Sequence, residues 1–179
     1  MSRRIILFRG LNTGGVRAPV AEQKGMALAL GLTNPRTLLA SGNLIVDSDR
    51  DPGALEAQVE AETEQRFGRR IDVVVRTPGQ WAAMMAANPF PAQAQTDPSR
   101  LLVMVMKAEV RPGALMSIRT FATDQERVEE AGGALWFWHP DGIGRSVMAQ
   151  KAQPRLIGLG TGRNWSTVCK IADLVEGRA

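Results

Sequence analysis

A chain of 179 residues with 44% hydrophobic and 22% charged side chains has the balance of a folded globular protein, long enough for one generous domain or two small halves. Its single cysteine and single histidine exclude an internal disulfide and a zinc site, so neither a metal nor another cofactor is expected. The net charge of +4 is uneven: residues 1–50 carry seven Lys/Arg against three Asp/Glu, residues 51–150 ten against thirteen, and residues 151–179 five against two. Positive ends of this kind attract a phosphate, a carboxylate or a nucleic-acid backbone, although a charge of this size also simply keeps a small protein dissolved.

The opening Ser2-Arg3-Arg4 resembles a twin-arginine export signal, but Arg9 stops the apolar run well short of the roughly 7–15 residues of a signal core. Arg4 to Phe8 is instead expected to be a strand buried on both faces. No apolar stretch approaches the roughly 20 residues that span a bilayer, so a cytoplasmic protein without a membrane partner is expected. The polar turn Arg9-Gly10-Leu11-Asn12-Thr13-Gly14-Gly15 follows. Pro19 then opens a helix that Gly31 closes, with Val20, Ala27, Leu28 and Leu30 as its apolar positions. Thr37 to Val46 predicts one extended stretch, bent or bulged at Ser41-Gly42-Asn43. Asp51 caps a helix that has Pro52 at its first position, Leu55, Val59 and Phe67 along one face, and Gly68 at its end. Ile71 to Val75 predicts a strand, and Thr77-Pro78-Gly79-Gln80 has capping-box spacing for a short helix through Trp81, Met84 and Met85.

Between Asn88 and Arg100 lie three prolines and no periodicity. This divides the chain into an N-terminal half, 1–88, a linker, 89–100, and a C-terminal half, 101–179. Leu101 to Met106 predicts a buried strand, Ala114 to Arg119 a short helix, and Gly132-Gly133 the turn of a strand pair ending in Leu135-Trp136-Phe137-Trp138. His139-Pro140-Asp141-Gly142 predicts a surface turn. A last helix begins near Asn164 with the stripe Trp165, Val168, Cys169, Ala172 and Val175; it is expected to bury Cys169 and to pack back toward the N-terminal half. Alternating strands and helices in two halves predict an α+β fold of two α/β plaits, each an antiparallel or mixed sheet with helices on one face. No repeat of 20–50 residues is visible.

Four glycine-containing polar turns punctuate this pattern: Arg9 to Gly15, Ser41-Gly42-Asn43, Gly142-Ile143-Gly144-Arg145-Ser146, and Gly160-Thr161-Gly162-Arg163-Asn164-Trp165. A glycine-rich loop entering a helix N-terminus presents unpaired N–H groups and partial positive charge, and Gly158 to Asn164 has that layout. It lacks the closing Gly-Lys-Ser/Thr of a Walker loop and the strand context of a dinucleotide fingerprint. The competing reading is architectural, with the glycines making a tight turn, Asn164 capping the helix and Trp165 packing. Arg9 offers a planar fork to an anion, or pairs with an aspartate such as Asp47. Asn12 and Asn43 either contact ligand or hold bends through their own backbone. The candidate set for a small anionic ligand is Arg9, Asn12, Gly14, Gly15, Ser41, Asn43, Arg145, Ser146, Arg163 and Asn164, placed where the opening and closing motifs meet.

Catalytic groupings are poor. His139 sits alone in its turn, Cys169 lies on a helix stripe rather than at a helix N-terminus, and no carboxylates show paired spacing. If a reaction occurs, the inventory offers electrostatic stabilisation by Arg9, Arg145 or Arg163 and backbone donors. A second reading is single-stranded nucleic acid, with Trp136-Phe137-Trp138 as a stacking platform, but the RNP1 pattern is missing and strands 4–8 and 101–106 offer only Phe8. A third is a protein-interaction surface or homodimer contact, which an exposed Trp136 or Trp138 would favour.

In their order, Arg9 to Gly15, Ser41-Gly42-Asn43, Asn88-Pro89-Phe90, Gly142 to Ser146 and Thr161-Gly162-Arg163-Asn164-Trp165-Ser166-Thr167 resemble the signature of the DUF1697 family of bacterial proteins, over nearly the whole chain. The resemblance implies a cytoplasmic bacterial protein with a two-part α+β fold of ferredoxin-like plaits. It implies no activity, because the family is named for its unknown function. Two positions depart from the family pattern: Leu38 stands where an aromatic residue, commonly tyrosine, is usual, and Val20 where a methionine is usual. Any ring that stacks on a ligand from the first position is missing here.

Overall fold

The run Ile5-Ile6-Leu7-Phe8 has no polar alternation, so only a central strand with both faces covered satisfies it. In the computed structural model, which describes residues 2–12, 16–40 and 42–178, β1 (Arg3–Phe8) lies between β3 (Asn43–Asp47) and β4 (Val73–Arg76), antiparallel to both. β2 (Thr33–Thr37) completes a sheet of order β2-β3-β1-β4. α1 (Val20–Ala29) connects β1 to β2, and α2 (Pro52–Phe67) connects β3 to β4. The result is two interlocked split βαβ crossovers, the ferredoxin-like arrangement.

After α3 (Pro78–Ala86) and α4 (Pro91–Thr96) the same plan returns with β5 (Leu101–Met106), α5 (Ala114–Arg119), β6 (Arg127–Ala131), β7 (Ala134–Trp138) and β8 (Gly160–Asn164), in the order β6-β7-β5-β8. A 3-10 turn at Ile143–Arg145, α6 (Val147–Lys151) and α7 (Pro154–Ile157) stand where the first sheet has one long helix, and α8 (Trp165–Glu176) follows. Both sheets are antiparallel, so the fold is α+β with two ferredoxin-like halves. By its contacts the chain forms two compact units, residues 1–81 with 170–179, and residues 82–169. The segment 89–100 is not featureless: Pro91 supplies the first turn of α4, a helix too short for periodicity to reveal.

In the first unit Ile6, Phe8, Leu44, Val46, Val73 and Val75 share a core with Met26 and Ala27 of α1 and Leu55 and Val59 of α2. Ile5, Leu7, Ile45 and Val74, alternating with them, are buried as well. In the second unit Val128, Leu135 and Phe137 pack with Ala114 and Ile118 of α5, Met148 of α6 and Ile157 of α7.

α2 begins at the Asp51 cap, whose carboxylate accepts from Gly53 N and Ala54 N, and ends at Gly68 in the left-handed conformation. Its buried side chains include Glu56, Glu60 and Thr63. Glu56 accepts from Val75 N at 2.9 Å, Glu60 from Val73 N at 3.1 Å, and the Thr63 hydroxyl from Ile71 N at 3.0 Å. Three helix side chains thus take alternate N–H groups along the edge strand β4 and the two residues leading into it.

Four local expectations need correction. Thr37 to Val46 is not one bulged strand but a hairpin, β2 and β3 paired antiparallel. Gly42 takes φ +82° there, and a Cβ on it would meet Phe8 Cβ at 2.9 Å. Gly158 to Asn164 is not a loop: Gly160–Asn164 is β8, paired with β5. Gly160 is fixed by proximity, since a Cβ on it would meet the backbone oxygen of Val105 at 3.0 Å, while one on Gly162 would press on the end of the Leu102 side chain at 3.0 Å. α1 buries Gln23, Met26 and Ala27 and leaves Val20 and Leu28 exposed. In α8 the buried positions are Val168, Ile171 and Val175, while Cys169 is half-buried.

Candidate functional site

Antiparallel pairing of β1 with β4 sets Phe8 opposite Val73, so the next residue on one strand faces the one before on the other. Arg9 N donates to Asp72 O at 2.9 Å. The Arg9 guanidinium therefore stands near Asp72, with Nη1 3.9 Å from Oδ2, and not near Asp47, whose carboxylate accepts from Asn34. That separation leaves the pair an ion pair without a hydrogen bond. Arg9, Gly10, Val16, Arg69, Arg70, Ile71 and Asp72 line a cavity of about 110 Å³. Arg70 is braced from below, its Nη2 2.6 Å from Oε2 of the buried Glu60. Three arginines thus line one cavity, two of them already beside carboxylates, Arg9 near Asp72 and Arg70 on Glu60. The Arg69-Arg70 doublet, directly after the Gly68 C-cap of α2, is a signal present in the sequence but outside the four polar turns.

The two candidate asparagines of this unit, Asn12 and Asn43, bond the backbone. Asn12, at φ 63°, donates to Ala18 O and Ala40 O and accepts from Ala18 N at 2.7 Å. Asn43 is fully buried and donates to Leu38 O at 2.9 Å, closing the hairpin. Gly14, Gly15 and Ser41 lie outside the described residues.

In the second unit Asn164 caps α8, its Oδ1 accepting from Thr167 N and from the Ser166 hydroxyl, both at 2.9 Å. Arg163 lies in β8 and donates to the Thr161 hydroxyl at 2.9 Å and to Gly162 O at 2.7 Å. Burial pushes its guanidinium down to about 10, so it stays charged at neutral pH. These contacts match the architectural reading of the closing motif.

His139 is not on the surface. It is 2% exposed, its ring stacks on Phe137, and Nδ1 lies 3.2 Å from Oε1 of the buried Glu126. Glu126 also accepts from Thr123 N at 3.0 Å and from the Ser146 hydroxyl. Burial lowers the His139 pKa more than the carboxylate raises it. Burial alone would raise Glu126, but the donors from Ser146, Thr123 and His139 hold it below the ordinary glutamate value. The imidazole is therefore neutral with its proton on Nδ1. The connectivity is Ser–Glu–His, not Ser–His–Glu, so His139 cannot take the Ser146 proton as a triad base would; Ser146 meanwhile accepts from Ala149 N at 3.0 Å as the cap of α6. Arg145 is exposed and lines a second cavity, of about 210 Å³, with Thr123, Glu126, Asp141, Gly142 and Ser146.

Of the rings that a single strand of nucleic acid would stack on, Trp138 is half-buried and the others are inside. Phe8, Trp136 and Phe137 are at most 1% exposed, and Trp136 packs against Trp165 at 5.6 Å between centroids. No helix among the described residues is long and apolar enough to cross a membrane.

The profile of DUF1697, described as a protein of unknown function, matches residues 1–136. No curated protein matches the chain. Among solved structures, the conserved bacterial protein SP0830 from Streptococcus pneumoniae superposes with a TM-score of 0.79 at 17% identity, over 97% of this chain and 98% of that one. Similarity at that level is a shared fold.

Proposed function

We propose that this chain, which belongs to the DUF1697 family, binds the phosphate or carboxylate group of a small ligand through Arg9, Arg69 and Arg70. The observation that carries the reading is one cavity lined by three arginines, Arg9, Arg69 and Arg70, with Asp72 as the one carboxylate among its described lining residues. Arginine presents several donors in a planar fork suited to both anions. At about 110 Å³ the cavity is smaller than the roughly 300–1,000 Å³ that enclose a whole drug-sized ligand, so it grips an anionic group and leaves the remainder of the ligand outside. The reading also places the protein in a bacterial cytoplasm, supported by its lone cysteine and by the family resemblance.

Titration with inorganic phosphate and with acetate, followed calorimetrically, tests this. Arg9→Ala is expected to weaken binding by about tenfold or more, the worth of a charge-assisted hydrogen bond, with the melting temperature unchanged because exposed pairs such as Arg9–Asp72 add little stability. Unchanged affinity in Arg9→Ala rejects the site. A protein-association role is supported by Met116 on α5 and Val147 on α6, which are 73% and 50% exposed; a concentration-dependent mass in light scattering would favour it.

A further inference from the structure

Glu126 does more than satisfy His139. Its carboxylate bonds residues 139 and 146, the two ends of the segment containing Asp141, Gly142 and Arg145, and so holds that segment as a closed loop. Further contacts fix the same loop: His139 N donates to Arg100 O at 3.1 Å, Gly142 N to His139 O at 2.9 Å, and Arg145 N to Gly142 O at 3.1 Å. Gly142 takes φ +89°, and the Arg100 guanidinium lies against it where a Cβ would stand. A buried carboxylate with three donors is thus committed to shaping a loop whose own charged side chains are unused. Asp141 and Arg145 both line the cavity of about 210 Å³, yet among the described residues neither side chain has a hydrogen-bond or ion-pair partner. Opposite charges held apart around one cavity complement a molecule that carries both charges itself.

We infer that this cavity binds a free α-amino acid, its carboxylate on the Arg145 guanidinium and its ammonium beside Asp141. The volume holds about seven waters at roughly 30 Å³ each, the scale of one amino acid rather than a peptide. The lining already sets two carboxylates, Asp141 and Glu126, against one guanidinium, so a neutral or basic side chain is accepted and an acidic one repelled. Thr123 also lines the wall. The site is separate from the Arg9 cavity and does not depend on it.

Calorimetric titration of the full chain with L-alanine, L-lysine and L-glutamate tests this, with propionate and ethylamine as ligands carrying one charge each. L-Alanine and L-lysine are expected to bind at least about tenfold tighter than L-glutamate, propionate or ethylamine, a difference of about 1.4 kcal/mol. Arg145→Gln and Asp141→Asn should each weaken alanine binding by a similar factor without moving the melting temperature, since neither side chain supports the fold, and Arg9→Ala should leave it unchanged. No saturable binding of alanine or lysine, equal binding of propionate, or full affinity in Arg145→Gln would overturn the assignment.

Discussion

Glu126 illustrates how a side chain's role depends on what it meets. In the sequence it is one of several carboxylates in a polar stretch and His139 an isolated imidazole in a turn; thirteen residues apart, they meet only because β6 and β7 fold back on the Gly132-Gly133 turn. The buried, neutral His139 has a lowered pKa, so between that value and the ordinary value of about 6.5 the unfolded chain binds more protons than the folded one. Stability therefore rises with pH across this window and is lost as the solution is acidified below about 6.5. Glu126, also lowered, adds a second loss below its ordinary value of about 4.3. Urea unfolding at pH values of about 7.5 and 5.5 should show the first loss in wild type and not in His139→Phe. Arg9 was legible as a candidate for anion binding because an arginine at the end of a buried strand is conspicuous. Its partner was not, because Asp72 rather than Asp47 faces it only through the β1–β4 register.

At the scale of elements, legibility followed local chemistry. The capping box closes as its spacing predicts, Thr77 N donating to Gln80 Oε1 at 2.9 Å and Gln80 N to Thr77 Oγ1 at 3.1 Å. The Gly132-Gly133 turn, both residues at positive φ, is likewise a local matter. β8 was missed because glycine ordinarily interrupts strands, whereas here Gly160 is set by what lies across β5. Gly160→Ala should consequently destabilise the fold by about 1–3 kcal/mol, the cost of overpacking, because Val105 O is backbone that cannot move aside; chemical denaturation measures it. The contacts of α2 with β4 have no local signal in the sequence, since a buried glutamate that accepts a strand N–H is spelled like an exposed one. Glu60→Ala leaves the Val73 N–H without its acceptor and should cost about 1–3 kcal/mol in the same measurement.

On the scale of the whole molecule, the two halves repeat one topology without a repeat that the eye finds in the sequence: strands of order 2-3-1-4 recur from Arg3 and again from Leu101. What the halves share is burial pattern and connection order, which many sequences satisfy. With Phe8, Trp136 and Phe137 buried and Trp138 half-buried, few rings are left for a nucleic-acid strand to stack on, and the proposed ligand is a small anion. Phosphate binding should consequently weaken only gently with added salt, while a strand contacting several phosphates would lose affinity with a slope near −0.7 per contact. Affinities measured across a salt series for phosphate and for an oligothymidylate separate the two. The hydrogen bonds from α2 to β4 bear on the same scale. Residues 56, 60 and 63 advance along a helix by about 10.5 Å, while residues 71, 73 and 75 span about 13 Å of strand. The two rulers disagree by about 2.5 Å, a gap that long glutamates absorb and that a fourth rung would exceed. Such a vernier admits one alignment of helix on strand and makes slippage by a residue self-defeating. It also leaves the Val73 and Val75 N–H groups already engaged, and thus unavailable to a stray strand from another chain.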